Sequence, residues 1–136
     1  MADPRHPRGL IDTSVVIDLE LIEPADLPLE LAISAITLAE LGAGPHATAD
    51  PAERARRQDR LQRAEATFES LPVDASVARA YGRVYAAVGA AGRKARGRRA
   101  VDLFVAATAV AAGLPLYTRN PDDFAGLSEM LEIVAV

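Results

Sequence analysis

Short apolar segments alternate with longer amphipathic segments along most of the chain, and this alternation constrains the fold more than any other feature. Residues 9–11, 31–34, 114–118 and 131–136 have the length and the aliphatic content of buried strands. Strands that are joined through helices pair in parallel, and helices cover both faces of the sheet. The sequence therefore predicts an α/β fold with a short, twisted, parallel sheet of four to five strands.

Helix boundaries are marked by capping residues. Asp50 and Asp74 are predicted N-caps, each followed by apolar residues at helical spacing. Residues 101–112 are apolar all round and predict a buried helix. Shorter helices are predicted after Asp12 and over residues 36–41, with residues 42–45 as a stop, and residues 72–73 predict a break or a one-contact strand. The buried stripes of the two long amphipathic segments are predicted to be Leu61, Ala64, Phe68 and Leu71, then Val77, Tyr81, Val84, Tyr85 and Val88.

Composition excludes several classes of protein. The 136 residues predict one domain, with residues 1–7 as a flexible N-terminal tail. The tail has no signal-peptide pattern, and the longest apolar stretch, residues 103–117, is too short for a membrane span. We therefore expect a cytoplasmic location and no membrane association. Without cysteine, no thiolate nucleophile or zinc–thiolate site can form, and the net charge of −4 excludes a uniformly basic nucleic-acid binder.

Open α/β sheets bind ligands at the carboxyl ends of their strands, and several acidic residues of this sequence follow predicted strands at those ends. Asp12 follows the first predicted strand, and Asn120, Asp122 and Asp123 follow the third. Glu40 and Asp102 lie on otherwise apolar helical segments. Taken singly, each has a simpler interpretation, such as an N-cap, a residue that favours the helix dipole, a solvated helix face or a turn.

Taken together, these acids predict a cation site. Carboxylates that converge at one edge repel one another unless a cation neutralises them. Oxygen ligands without cysteine or several histidines select a hard ion, Mg²⁺ or Mn²⁺. Such an ion polarises phosphoryl groups and lets an acidic pocket accept a polyanion.

Four sequence blocks resemble the signature blocks of PIN domains, and most closely those of the VapC toxins of bacterial toxin–antitoxin pairs. They are LIDTS at residues 10–14, SAITLAEL at 34–41, DLFVAATA at 102–109 and TRNPDDF at 118–124. The blocks occur in the family's order and extend over nearly the whole chain. The resemblance implies a PIN-like fold and a metal-dependent endoribonuclease, the toxin component of the pair.

The resemblance also implies site residues and partners. Asp12, Glu40 and Asp102 match the family's three most regular acids, and Asp123 is favoured as the fourth, with Asp122 as an alternative. Asp12 and Asp102 would hold the Mg²⁺ or Mn²⁺. The implied partners are a VapB-type antitoxin, an RNA substrate (tRNA or rRNA) and a second copy in a homodimer. Residues predicted to support the carboxylates are Thr13, Ser14, Thr118 and Asn120.

A basic segment precedes Asp102, and two interpretations of it stay open. Its arginines could clamp RNA phosphates at the rim of the pocket, or the segment could be a solvated loop. The arginines predicted to bind RNA are Arg93, Arg96, Arg98 and Arg99.

Two other functions fit the sequence less well than a PIN-type nuclease. A PIN-fold binding module without catalysis is disfavoured because Asp12, Glu40 and Asp102 are all present. Another Mg²⁺-dependent phosphotransfer protein or phosphatase is disfavoured because no second aspartate lies two residues after Asp12, and because the single lysine, Lys94, does not follow a strand.

Overall fold

The computed structural model describes residues 5–92 and 97–136, and its centre is a five-stranded sheet. The strands are β1 (Arg8–Ile11), β2 (Glu30–Ser34), β3 (Glu69–Leu71), β4 (Leu116–Thr118) and β5 (Ile133–Ala135). They lie in the order β3-β2-β1-β4-β5, and every neighbouring pair is parallel. The predicted α/β class and the short parallel sheet are confirmed.

Helices connect the strands. They are α1 (Thr13–Ile17), α2 (Ala35–Ala43), α3 (Pro51–Thr67), α4 (Ala75–Ala90) and α5 (Arg98–Ala112), with 3₁₀ segments at Leu19–Leu21, Pro24–Asp26, Gly44–Ala47 and Pro121–Phe124. The predicted caps are confirmed, because Asp50 accepts a hydrogen bond from the Ala52 N–H and Asp74 accepts one from the Val77 N–H. No helix in the described part of the chain is long and apolar enough to cross a membrane.

The two faces of the sheet pack against separate apolar clusters. Successive strand residues point to opposite faces. Leu10 and Leu116 therefore belong to a cluster with residues of α4 and α5, whereas Ile11 and Tyr117 belong to a second cluster with residues of α1 and α3. This arrangement is why the central strands contain consecutive apolar residues rather than an alternating pattern.

Several predicted boundaries were wrong. The predicted break at residues 72–73 is confirmed, but the strand lies before it, at β3. Helix α2 continues through Gly42 to Ala43 before a 3₁₀ turn follows. Helix α5 begins at Arg98, so Arg98 and Arg99 belong to its first turn rather than to a loop. Tyr85 is 54% exposed and does not belong to the buried stripe of α4.

The segment before β1 is attached to the sheet where it is described. The backbone carbonyls of His6 and Pro7 accept hydrogen bonds from the N–H groups of Leu29 and Glu30, and His6 Nε2 lies 2.7 Å from Glu132 Oε2. These contacts hold residues 6 and 7 at the amino edge of the sheet. The rest of the predicted tail, residues 1–4, lies outside the described residues.

Candidate active site

The candidate site lies at the carboxyl edge of the sheet, beyond the end of β1. The chain passes from β1 to β2 on one side and reaches β4 on the other, so the strand order changes direction at β1. Crevices at such positions are where ligands bind in open α/β sheets. The Asp12 N–H donates to the Tyr117 carbonyl at 3.1 Å, which fixes the backbone of Asp12 beside the end of β4.

Asp12 is a buried carboxylate held by three donors. Its Oδ1 accepts hydrogen bonds from the Ser14 hydroxyl at 2.5 Å and from the Val15 N–H at 3.1 Å, and its Oδ2 accepts one from the Thr118 hydroxyl at 2.5 Å. The residue is 8% exposed. Burial of a carboxylate is unfavourable unless hydrogen bonds or a cation compensate the lost water. Asp12 is therefore both the N-cap of α1 and a fixed, partly compensated charge.

Thr13 connects Asp12 with Glu40. The Thr13 hydroxyl donates to Glu40 Oε1 at 2.6 Å. The hydroxyl oxygens of Thr13 and Thr37 are 3.1 Å apart. Thr13 and Thr37 are buried, and Glu40 is half-buried. Because Thr13 directly follows Asp12, the bond from Thr13 to Glu40 brings the second half of α2 and the start of α1 together. The structure thus places two of the predicted acids at one site although they are 28 residues apart in the chain.

The predicted supporting residues surround Asp12. Ser14 Oγ donates to Asp12 and accepts a hydrogen bond from the Arg119 N–H at 3.1 Å. Thr118 Oγ1 accepts one from the Asn120 N–H at 3.0 Å. The side chain of Asn120 is exposed, so its observed contribution to this network comes from the backbone and not from the amide that the sequence suggested.

Asp102 and Asp123 approach the same edge from α5 and from the turn after β4. Arg99 Nη1 donates to the Asp123 carbonyl at 3.3 Å, and the Thr108 hydroxyl lies 2.9 Å from that of Ser34, the last residue of β2. Asp102 lies between these two contacts along α5 and is half-buried, as is Asp123. The amino-terminal half of α5 is therefore at the carboxyl edge of the sheet.

The predicted phosphate-binding arginines are only partly described. Arg93 and Arg96 lie outside the described residues, and Arg98 is described as the first residue of α5. Arg99 is half-buried and binds the backbone of the turn that carries Asp123. Near Asp12, Arg119 pairs with Asp18, with 3.3 Å between Nε and Oδ2.

The donor chemistry of the site fits a hard cation. Asp12, Ser14 and Thr118 offer only oxygen atoms as side-chain ligands, and three donors hold Asp12 in one orientation. Within residues 5–92 and 97–136, no three histidine or acidic side chains lie close enough together to hold a metal ion between them. Mg²⁺ keeps several of its waters and needs only one or two protein carboxylates, so a site of this type does not require a preassembled cage.

Sequence reasoning missed three buried hydroxyl residues near the site. They are Ser34, Thr37 and Thr108, each at most 1% exposed. The one signal in the sequence was a hydroxyl on an otherwise apolar segment, as at Thr108 within residues 101–112.

Comparison with known proteins gives one consistent result. The family model of the PIN domain matches residues 10–129. Ribonuclease VapC5 from Mycobacterium tuberculosis is 38% identical over 133 residues, which cover 94% of this chain and 95% of the relative. Ribonuclease VapC4 from the same organism is 32% identical over 133 residues, covering 95% and 97% of the two chains.

Solved structures agree with the sequence comparison. The crystal structure of VapBC-5 from M. tuberculosis, a member of the VapBC family of toxin–antitoxin systems, contains a chain with a TM-score of 0.81 and 36% identity, covering 96% of this chain and 99% of that one. VapBC2 from Rickettsia felis, bound to a promoter DNA fragment, gives a TM-score of 0.75 at 21% identity, covering 95% and 98%, and shows the shared fold alone. The predicted resemblance is confirmed: this chain belongs to the PIN domain family, among the relatives of the VapC ribonucleases.

Proposed function

We propose that this chain is a metal-dependent endoribonuclease and the toxin of a VapBC-type toxin–antitoxin pair. The observation that carries the proposal is the buried Asp12 carboxylate, fixed by three donors and joined through Thr13 to Glu40. Relatives that are named ribonucleases cover almost the whole chain, which supports the same activity here. The substrate class is RNA, with tRNA and rRNA as the first candidates.

Asp12 and Asp102 are the residues that would hold Mg²⁺ or Mn²⁺. When bound, the ion supplies charge neutralisation at the scissile phosphate and activates water for attack. The protein supplies orientation: Ser14, Val15 and Thr118 hold the Asp12 carboxylate in place.

Glu40 is the acceptor that we assign to the attacking water. Its Oε1 is fixed by the Thr13 hydroxyl, so the carboxylate cannot rotate freely, and a carboxylate in this position accepts a proton from water. Asp123 completes the acidic pocket. Displacement of the 3′ oxygen then leaves a 5′-phosphate and a 3′-hydroxyl.

RNA phosphates on either side of the pocket need cationic partners because the pocket itself is acidic. We assign this role to the segment before Asp102, which contains Arg93, Arg96, Arg98 and Arg99. Bidentate contacts from arginine to phosphate would hold the backbone without reading the base sequence.

We propose a VapB-type antitoxin as the partner. We also propose that the molecule forms a homodimer and is located in the cytoplasm. The likeness to VapBC-5 at 36% identity supports the antitoxin. A groove of about 400 Å³ between α1 and α3 is lined by apolar side chains, such as Val16, Ile17 and Phe68, and by charged ones, which are Glu20, Arg56, Asp59, Arg60 and Arg63. Ile17 is 47% exposed. Exposed apolar surface with a polar rim marks protein interfaces, and we assign this mixed surface to an amphipathic segment of the antitoxin.

RNA cleavage by the purified chain tests the activity. Metal-depleted protein should not cut labelled tRNA or rRNA fragments, and Mg²⁺ or Mn²⁺ should restore cutting. D12N and D102N should lose at least about a hundredfold in rate. Asp26→Asn, at an exposed aspartate in the 3₁₀ segment before the amino end of β2, is the matched control and should cut like the unmodified chain. Cutting by D12N at the unmodified rate would refute the assignment.

The antitoxin interface has a separate test. Ile17→Asp, at an exposed residue that lines the groove, should reduce co-purification with the antitoxin while leaving RNA cleavage unchanged, because Ile17 lies outside the carboxylate site. Full retention of the complex would contradict the groove as the interface.

A further inference from the structure

A second pair of buried hydroxyls joins the two helices that carry Glu40 and Asp102. Ser34 ends β2 and is the N-cap of α2, and Thr108 lies in the middle of α5. Their hydroxyl oxygens are 2.9 Å apart, and the residues are 0% and 1% exposed. They lie among apolar residues of the cluster on the α4–α5 face, such as Ala32 and Val105.

The direction of these hydrogen bonds follows from counting protons. The Thr108 hydroxyl has one proton, and it donates to the Phe104 carbonyl at 2.8 Å. Ser34 must therefore donate to Thr108, while Ser34 Oγ itself accepts from the Ile36 N–H at 3.1 Å. The result is a series of three hydrogen bonds, all donated in one direction, from the first turn of α2 to the first half of α5.

The two acids lie at equal sequence distances from this pair of hydroxyls. Glu40 lies six residues after Ser34, and Asp102 lies six residues before Thr108. At 1.5 Å per helical residue, each carboxylate is about 9 Å along its helix from the hydroxyl pair. A rotation of only about 3° at the pair moves a group 9 Å away by about 0.5 Å, which is the tolerance of a catalytic constellation.

We propose that Ser34 and Thr108 form a positioning clasp that sets the separation between Glu40 and Asp102. Aliphatic packing is non-directional and allows helices to slide, whereas a hydrogen-bonded hydroxyl pair specifies one distance. The clasp acts through the two helices and touches no substrate. This inference depends on the proposed nuclease function of the same site.

The double variant S34A/T108V separates positioning from stability. Each single variant leaves the other hydroxyl buried with a lost partner, whereas the double variant removes both, so its urea midpoint should fall by less than the sum of the single falls. The turnover number kcat for RNA should nevertheless fall about tenfold in the double variant, with KM unchanged. Thr108→Ser keeps the hydroxyl and should restore kcat to within about twofold. Val88→Ala, in the core of α4, is a control for destabilisation alone and should not change kcat.

Three results would overturn the clasp. They are an unchanged kcat in S34A/T108V, a rise in KM with constant kcat, and an equal loss of kcat in V88A. A crystal structure of the double variant gives a readout that does not depend on activity, and an unchanged separation between the Glu40 and Asp102 carboxyl groups would also refute the proposal. If the unmodified chain cuts no RNA, the proposed function fails. The distance between the Glu40 and Asp102 carboxyl groups in the double variant then decides by itself whether the clasp proposal is correct.

Discussion

Thr118→Val tests whether the Asp12 carboxylate depends on its hydroxyl donors. Valine has nearly the same shape as threonine, so the change removes a hydroxyl from a fully buried position without leaving a large cavity. The lost bond joins Thr118 Oγ1 and Asp12 Oδ2 at 2.5 Å. The Asn120 N–H also loses its acceptor, but water can replace it because Asn120 is exposed.

The expected loss follows from these contacts. A hydrogen bond to a charged group contributes about 1.5–3 kcal/mol, and two other donors remain on Asp12, so we expect a loss of about 2–3 kcal/mol in the free energy of unfolding. With a urea dependence of about 1–3 kcal/mol per molar, the unfolding midpoint should fall by roughly 1–2 M. RNA cleavage should fall about tenfold as the carboxylate loses one restraint.

Thr118→Ser is the matched control because it keeps the hydroxyl and loses only a methyl group. It should cost about 1 kcal/mol or less and retain cleavage. In a double-mutant cycle with Asp12→Asn, the losses in unfolding free energy should be less than additive by about 1 kcal/mol. If T118V is as stable as T118S, or if the cycle is additive, the hydroxyl does not support Asp12 and the reasoning is wrong.

Three further predictions concern stability. Gly9→Ala should cost about 1–3 kcal/mol in urea unfolding, because an added Cβ would lie 2.7 Å from Cε1 of Tyr117; an unchanged midpoint would contradict this packing. Hydrogen bonds from the Ser76 hydroxyl and the Val77 N–H lower the pKa of Asp74, so its stabilisation is present at neutral pH and is lost as the pH falls through that lowered value. The Tm difference between the unmodified chain and D74A should therefore shrink on acidification, and a constant difference would refute it. Burial, and to a smaller extent the negative charge of Glu132, raises the pKa of Tyr117, so the free energy of unfolding falls as the pH rises through that raised pKa. In an ultraviolet titration, Y117F should lack the tyrosine that ionises last.

The strands that were predicted from the sequence contain consecutive apolar side chains that are buried or partly buried. β1, β2 and β4 each have at least two buried apolar residues, and β5 has two partly buried ones, so each leaves an apolar signal. β3 was misplaced because Glu69 and Ser70 are exposed and its pairing comes from backbone bonds to the edge of β2. A short edge strand whose exposed residues are polar carries no apolar pattern that reports its position.

The site divides in the same way. Asp12 and Glu40 were predictable because an acid after a buried strand or on an apolar helix is conspicuous, and the structure joins them through Thr13. The Ser34–Thr108 pair was not predictable, because its residues are 74 apart and the hydroxyl of Thr108 on an apolar segment does not indicate which residue it contacts. Contacts between distant hydroxyls depend on how α5 packs on β2, and helical or strand periodicity does not encode that packing.

The hydroxyls also explain how an acidic chain can keep acids together before any cation binds. The net charge is −4, so each carboxylate at the carboxyl edge lies in a field that disfavours further negative charge. Asp12 accepts hydrogen bonds from the Ser14 and Thr118 hydroxyls, and Glu40 accepts one from the Thr13 hydroxyl, at 2.5–2.6 Å. Hydroxyl donors offset part of the charge without neutralising it, whereas an arginine in the same place would form an ion pair and compete with a metal. Under the proposed function, the Asp12 carboxylate is therefore ordered and still attractive to a divalent cation, which a salt-bridged carboxylate would not be.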